Sequence, residues 1–378
     1  MGDAMTGMLP IVMPKWGLAM EEGTLTSWLI AEGDTVEKGQ EIAEIETTKI
    51  TNVYESQIAG LVRRLVAQPG NVLPVGALLA VLAPDSVPDA EIDDFIGRFV
   101  VRDPEAEGEA GGLAERRIER DGRVLSYKLA GEEADGVPAI LVHGFGGDSD
   151  NWLFNIEKLA QARPVYAPDL PGHGKSGKQV ERGDLDELAD AVAAVIDETG
   201  ALRVHLVGHS LGAAVCFRVL ERRPDRVASV AGLAPAGLGS TVNDGYIRSF
   251  IAAERRKEVK AALQMLFADP NQVSAAMIEG IQRFTRLEGA REALAAIARQ
   301  ALPDGRQATT FRTLVAEAAV PLLLIWGERD AIIDPAHAEN LPERIAVLRL
   351  PGVGHMPQME AAGPVNERLA AHFAAAEA

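Results

Sequence analysis

Two periodicities divide this chain. Up to about residue 83, apolar and polar positions alternate in short runs. Gly39-Gln40-Glu41-Ile42-Ala43-Glu44-Ile45 is one such run, the pattern of a half-buried strand. Thr51-Asn52-Val53-Tyr54, β-branched and aromatic, predicts a returning strand, so Lys49 falls at or beside a hairpin turn. The pattern also repeats. Gly23, Gly33 and Gly39 recur as Gly60, Gly70 and Gly76, each 37 residues later. Val36 matches Leu73, Ile42 matches Leu79, Ala43 matches Ala80, Ile45 matches Leu82 and Trp28 matches Leu65 at the same offset. Two strand-rich copies, each too small for its own core, predict a two-fold β-sandwich.

Beyond residue 115 the pattern becomes strands alternating with helices. Residues 122–129, 139–142, 165–167, 204–207, 227–230, 322–325 and 346–350 read as strands, several of them apolar throughout. Helical periods run over 185–199, ended by Gly200, and over 211–223, ended by Pro224. Continuous apolar strands with helices between them predict a mostly parallel sheet covered on both faces, hence an α/β fold. Residues 238–317 are helical and interrupt the sheet, so they are expected to cap it. The expected domains are 1–83, a linker over 84–114 and 115–378.

The linker is acidic and punctuated by Pro and Gly, but Ile92, Phe95, Ile96 and Phe99 share one face of a short helix. That face either packs back on a domain of the same chain or docks a partner or a second copy. If the whole linker were free, its reach would be roughly 30 Å, and first proteolytic cleavage is expected within 98–117.

Composition narrows the function classes. The net charge of −18 disfavours general electrostatic attraction to nucleic acid or anionic membranes. The single cysteine, Cys216, excludes an intramolecular disulfide framework and suits a reducing cytoplasm. Residues 1–9 show neither a signal-peptide nor a membrane-spanning pattern.

The candidate chemistry falls at strand ends. Gly208-His209-Ser210-Leu211-Gly212 follows a strand and opens a helix, the context that makes G-x-S-x-G a nucleophile elbow. A serine there needs an acid and then a histidine later in the chain. Asp330, in Trp326-Gly327-Glu328-Arg329-Asp330, and His355, in Gly352-Val353-Gly354-His355-Met356, hold those places; Asp334 competes with Asp330. His143-Gly144-Phe145-Gly146-Gly147 would set the Phe145 N–H beside the Leu211 N–H as oxyanion donors. Tyr246, Phe250, Met265, Phe267, Met277, Phe284 and Phe311 line an acyl pocket or form the cap's own core. Glu254-Arg255-Arg256-Lys257 meets phosphates or is a solvated face.

The first 83 residues resemble the lipoyl domains of 2-oxo-acid dehydrogenase complexes, through Pro10-Ile11-Val12-Met13-Pro14 with Gly17, and through Glu46-Thr47-Thr48-Lys49-Ile50. Thr48 stands where that family usually has Asp, and the flanks lack the methionines of biotinyl domains. The resemblance implies lipoate in amide linkage to Lys49. From about Arg116 onward the chain resembles the α/β-hydrolase superfamily, through the elbow, the acid and histidine positions and Pro168-Asp169-Leu170-Pro171-Gly172-His173-Gly174-Lys175-Ser176. It implies a Ser210-His355-Asp330 triad, with His143, His173, His205 and His209 in supporting roles, His337 and His372 at the surface and Cys216 in packing.

Together the halves resemble dihydrolipoamide acetyltransferase components of acetoin dehydrogenase complexes. That resemblance implies acetyl transfer from lipoyl-Lys49 to coenzyme A. It also implies partners: thiamine-diphosphate-dependent acetoin dehydrogenase subunits, dihydrolipoyl dehydrogenase and further copies of the chain. The His-His-x-x-x-Asp-Gly signature of the usual acyltransferase domain is missing, since no two histidines are adjacent. No match to a small subunit-binding domain follows the lipoyl-like part. A carrier-tethered hydrolase and a scaffold without chemistry are the alternatives.

Overall fold

The glycines that repeat at 37-residue intervals adopt left-handed backbone in matched pairs. Gly33 and Gly70 have φ of 94° and 90°, Gly39 and Gly76 have 86° and 82°. Their hydrogen bonds are exchanged between the copies: Gly33 N–H donates to the Val62 carbonyl at 2.8 Å and Gly70 N–H to the Leu25 carbonyl at 2.7 Å. The computed structural model describes residues 8–14, 22–46, 51–56, 58–99, 113–120 and 122–377. It divides into two units, Met1–Glu109 and Ala110–Ala378.

In the first unit the strands are β1 (Leu9–Val12), β2 (Glu22–Trp28), β3 (Thr35–Val36), β4 (Glu41–Glu46), β5 (Thr51–Glu55), β6 (Gly60–Leu65), β7 (Val72–Pro74) and β8 (Leu78–Leu82). They form two four-stranded sheets, ordered β1-β8-β6-β3 and β5-β4-β2-β7. Replacing each strand by its repeat turns one order into the other, so the internal symmetry exchanges the sheets. Leu25, Ile42 and Ile45 from one copy meet Val62, Leu79 and Leu82 from the other in a shared core, all but inaccessible to water. Fully burying a side chain of this size is worth about 1.5–3 kcal/mol, which neither copy could gain alone.

Helix α1 (Asp89–Arg98) puts Ile92, fully buried, against Leu78, Val81, Ala83 and Val87, with Phe95, Ile96 and Phe99 at its margin. Its register is fixed by Arg63 and Asp89 at 2.8 Å and Arg64 and Asp93 at 3.5 Å. The amphipathic face expected inside the linker is therefore seated on the carrier sheet. The cause lies in β8, whose Leu78 and Val81 point away from the shared core and would otherwise face water.

The second unit holds an eight-stranded sheet. Its strands are β9 (Ala114–Arg120), β10 (Arg123–Ala130), β11 (Ala139–Val142), β12 (Val165–Pro168), β13 (Val204–His209), β14 (Val227–Leu233), β15 (Leu322–Gly327) and β16 (Ala346–Leu350). They are ordered β16-β15-β14-β13-β11-β12-β10-β9; β10 pairs antiparallel with both its neighbours, β12 and β9, and the other pairs are parallel. Strand β9 is an addition to the expected set, and it removes residues 114–117 from the segment expected to be cleaved first.

The helices are α2 (Leu153–Ala160), α3 (Leu185–Glu198), α4 (Leu211–Arg222), α5 (Asp244–Ala252), α6 (Arg256–Gln264), α7 (Ala275–Phe284), α8 (Ala290–Ala301), α9 (Arg312–Glu317), α10 (Pro357–Glu360) and α11 (Ala362–Glu377). Strand residues alternate between two cores. Leu322, Leu324 and Trp326 join the core with α3, α4 and the cap, while Leu323 and Ile325 join the core with α2 and α11. Helices α5 to α9 supply the cap. His372, expected at the surface, is buried on α11 beside Phe373. Among the described residues, no helix is long and apolar enough to cross a membrane.

Candidate active site

Four strands of the sheet end in the loops that carry the candidate residues. At the end of β13, Ser210 turns the chain into α4 with φ 53° and ψ −118°, a left-handed conformation that costs a non-glycine residue of order 1–3 kcal/mol. The turn is tight enough that only glycine fits around it. A Cβ on Gly208 would stand 2.4 Å from the Ala213 Cα, and one on Gly212 would stand 2.2 Å from the Val142 carbonyl oxygen. Hydrogen bonds from Ser210 N–H to the Leu233 carbonyl at 2.9 Å and from Ala236 N–H to the Ser210 carbonyl at 3.1 Å hold the elbow open.

Asp330 and His355 meet as expected from their strand ends. His355 Nδ1 lies 2.8 Å from Asp330 Oδ2, and both side chains are buried. Asp330 also accepts the N–H groups of Ile332 at 2.8 Å and Ile333 at 3.0 Å, and Trp326 Nε1–H at 3.0 Å. Burial alone would raise its pKa, but His355 and the two backbone donors outweigh burial and hold the carboxyl below its ordinary value. An ionised Asp330 fixes the proton of His355 on Nδ1 and leaves Nε2 as the basic nitrogen. Asp334 instead caps the turn before Ala336.

The oxyanion candidates lie at adjacent strand ends, since β11 pairs with β13 through Val142 and Gly208. Among the described residues, neither the Phe145 N–H nor the Leu211 N–H donates to a protein acceptor. Both residues are buried. The loop is braced from the cap, with the Phe250 ring edge-on to Phe145 at 6.1 Å and the Tyr246 hydroxyl 3.5 Å from the Phe145 carbonyl.

The four supporting histidines are all buried, and burial is the first cause of a lowered pKa at each. His209 is pushed down to about 3 and is neutral; its Nε2–H donates to the His355 carbonyl at 2.7 Å. His143 Nδ1–H donates to the Gly144 carbonyl at 2.8 Å, and its Nε2 accepts from Leu170 N–H at 3.0 Å. His205 lies away from the serine, under α11, between Ser229 and Glu377. Burial pushes the Cys216 thiol well up, consistent with a packing role.

The remaining candidates separate. Phe311 packs on Phe217 of α4, while Met265, Met277 and Phe284 are only partly buried. Arg255 pairs with Glu258 and Arg256 with Glu279, so much of the charge in that short run is offset locally. Lys49, the lipoyl attachment candidate, lies outside the described residues. What is described is its frame: β4 and β5 stay paired to Glu46 and Thr51, with Glu46 exposed, and residues 47–50 connect them.

A family model described as "alpha/beta hydrolase fold" matches residues 138–362, and one described as "Biotin-requiring enzyme", for biotin and lipoyl attachment, matches residues 10–82. The dihydrolipoyllysine-residue acetyltransferase component of the acetoin cleaving system of Pseudomonas putida is 46% identical over 366 residues, covering 96% of this chain and 97% of that protein. Its counterpart in Cupriavidus necator is 43% identical, covering 97% of each. The chain belongs to this family of acetyltransferase components.

Within the family's two-part layout, the hydrolase-like half also resembles solved hydrolases. A membrane phospholipase A matches with a TM-score of 0.62 and 25% identity, over 71% of this chain and 87% of its own. A meta-cleavage product hydrolase from Pseudomonas fluorescens matches with a TM-score of 0.62 at 20% identity, a likeness of fold. One residue at this family member's site had no signal in the sequence: Glu360, whose carboxylate gathers N–H groups from both sides of His355. It also accepts the N–H of Ala268, 92 residues away, and no local pattern announces such a bond.

Proposed function

We propose that the protein transfers acetyl groups from a lipoyl arm on Lys49 to coenzyme A, through an acyl-enzyme on Ser210. The single observation that carries this reading is the buried His355–Asp330 pair, joined through His209 to the strained elbow that mounts Ser210. End-to-end relatedness to acetyltransferase components supports it. When bound to Lys49, lipoate supplies the acetyl group as a thioester.

The chain's own residues do the rest. His355 Nε2 takes the Ser210 hydroxyl proton as Oγ attacks the thioester carbonyl, and Asp330 stabilises the imidazolium that forms. The Phe145 and Leu211 N–H groups bind the oxyanion, each worth about 3 kcal/mol of barrier by analogy with measured donors. As the C–S bond breaks, the proton on His355 passes to the departing sulfur. In the second half, His355 takes the thiol proton of coenzyme A, sulfur attacks the acyl-serine, and the proton returns to Ser210 Oγ. Water is the competing acceptor, so the cap has to exclude it.

In this reading residues 1–83 are the carrier, 84–114 the linker and 115–378 the catalytic domain. The partners are thiamine-diphosphate-dependent acetoin dehydrogenase subunits and dihydrolipoyl dehydrogenase, in a cytoplasmic assembly with further copies of the chain. A second reading, a carrier-tethered hydrolase with the same triad, is favoured by two observations. Pimeloyl-[acyl-carrier protein] methyl ester esterases are 30% identical over 229 residues, and Arg255 and Arg256 are already paired.

Product analysis with acetyl-dihydrolipoamide, with and without coenzyme A, separates the two. Transfer requires acetyl-coenzyme A formation that Ser210→Ala lowers by several orders of magnitude while mass spectrometry still finds the lipoyl group on Lys49. Acetate release at the same rate with or without coenzyme A would replace transfer by hydrolysis. Full transfer by Ser210→Ala would remove the serine from the chemistry.

A further inference from the structure

His355 is fastened through its backbone as well as its ring. Its N–H donates to the Leu266 carbonyl at 2.8 Å, and its carbonyl accepts His209 Nε2–H at 2.7 Å. The N–H groups on either side of it, from Gly354 and Met356, donate to Glu360 at 3.0 and 3.1 Å. The same carboxylate accepts the Ala268 N–H at 2.9 Å. Leu266 and Ala268 lie in the segment that leaves cap helix α6, so Glu360 bridges the cap and the loop that carries the base.

The two segments touch backbone to backbone. A Cβ on Gly354 would stand 2.5 Å from the Ala268 nitrogen and 2.9 Å from the Phe267 carbonyl carbon. Hydrogen bonds to an ionised acceptor are roughly twice as strong as neutral ones, so a shared carboxylate is a firm link between segments. We infer that Glu360 is a positioning residue that locks the His355 loop to the cap, so that the base is in register with Ser210 and Asp330 only while the cap is seated. The inference rests on the acyl-enzyme reading above. Because a seated cap also excludes water, loosening the link disturbs two things together: the placement of His355, and the division of the acyl-enzyme between thiol and water.

The test uses the full-length, lipoylated chain as wild type, Glu360→Ala, Glu360→Gln and Ser210→Ala. Acetyl-coenzyme A and acetate are measured from acetyl-dihydrolipoamide, and Ser210 labelling by a fluorophosphonate is timed. Glu360→Ala should lower kcat on the order of 10–100-fold, as misplacement of a catalytic group by about 1 Å does. KM for acetyl-dihydrolipoamide should stay within about twofold, since Glu360 does not touch substrate. The acetate fraction should rise several-fold and labelling should slow in parallel. Glu360→Gln keeps one oxygen acceptor but turns an NH2 group toward N–H donors that the second oxygen served, so it should show an intermediate loss.

Wild-type kcat and acetate fraction in both variants, even with a lowered Tm, would overturn the inference and leave Glu360 a stabilising residue only. If Glu360→Ala fails to fold, Glu360→Gln carries the same test. An unchanged kcat, labelling rate and acetate fraction in it would overturn the inference equally. Full transfer by Ser210→Ala would overturn the acyl-enzyme reading itself. That outcome is distinct from failure of the Glu360 inference alone, in which Ser210→Ala is inactive and the Glu360 variants are normal.

Discussion

At the scale of single residues, the interior of the catalytic unit commits several histidines to one protonation state. Burial pushes His173 and His209 down to about 3 and His372 down to about 4. All three are neutral in the folded chain, while in the unfolded chain they bind protons at the ordinary value of 6.5. Between those values the unfolded state holds more protons, so stability is full above about pH 6.5 and falls as pH drops toward 4. Each group contributes a slope of up to about 1.4 kcal/mol per pH unit. Urea unfolding of the full chain from pH 8 to pH 5 should show this loss on the acid side. His372→Leu, which removes one such group far from the serine, should reduce the slope by about one proton's worth. An unchanged slope would mean that His372 carries its proton in the native state.

At the scale of elements, what could be read in advance depended on how locally each element is determined. Strand β11 ends where its apolar run ends, because the side chains that make the strand also bury it; β16, a half-exposed edge strand, keeps its expected range through its alternating pattern. The elbow was legible for a similar reason: glycines at 208 and 212 follow from clashes within one turn and its neighbouring strand. Strand β9 was missed because its sequence, Ala-Glu-Arg-Arg-Ile-Glu-Arg, lies at the sheet edge and buries little; its signal was the Asp121-Gly122 pair before β10. The seat of α1 had a signal too. Leu78-Leu79-Ala80-Val81-Leu82 is apolar on both faces, which an open-faced sandwich strand has no reason to be. Ile92→Ala should therefore cost about 2–4 kcal/mol, as for other fully buried aliphatic truncations. Hydrogen–deuterium exchange of the full chain should then show lost protection across residues 78–98, with Ser210 labelling unchanged. Wild-type residues 89–98 exchanging at unprotected rates would sink the docked arrangement.

At the scale of the whole molecule, seating α1 on the carrier shortens what remains between the units. Phe99 is the last residue of the carrier-bound helix cluster and Ala114 the first of the catalytic sheet. If free, a stretch of that length would span about 20 Å root-mean-square, less than the roughly 30 Å that the whole acidic segment would span. A shorter tether raises the effective concentration of a carrier near catalytic sites within its reach and removes sites beyond it. In an assembly of several copies, the sites within reach include those of neighbouring chains. Lys49→Arg leaves a triad without an arm, and Ser210→Ala leaves an arm without a nucleophile. Each variant alone should form no acetyl-coenzyme A when the acetyl group is supplied through the arm. Co-expressed so that both enter one assembly, they should recover a measurable fraction of wild-type transfer, about a quarter for random mixing with equal access. Size-exclusion fractions carrying both variants, assayed for acetyl-coenzyme A, make the measurement. No recovery in mixed assemblies would show that each arm serves only the serine of its own chain.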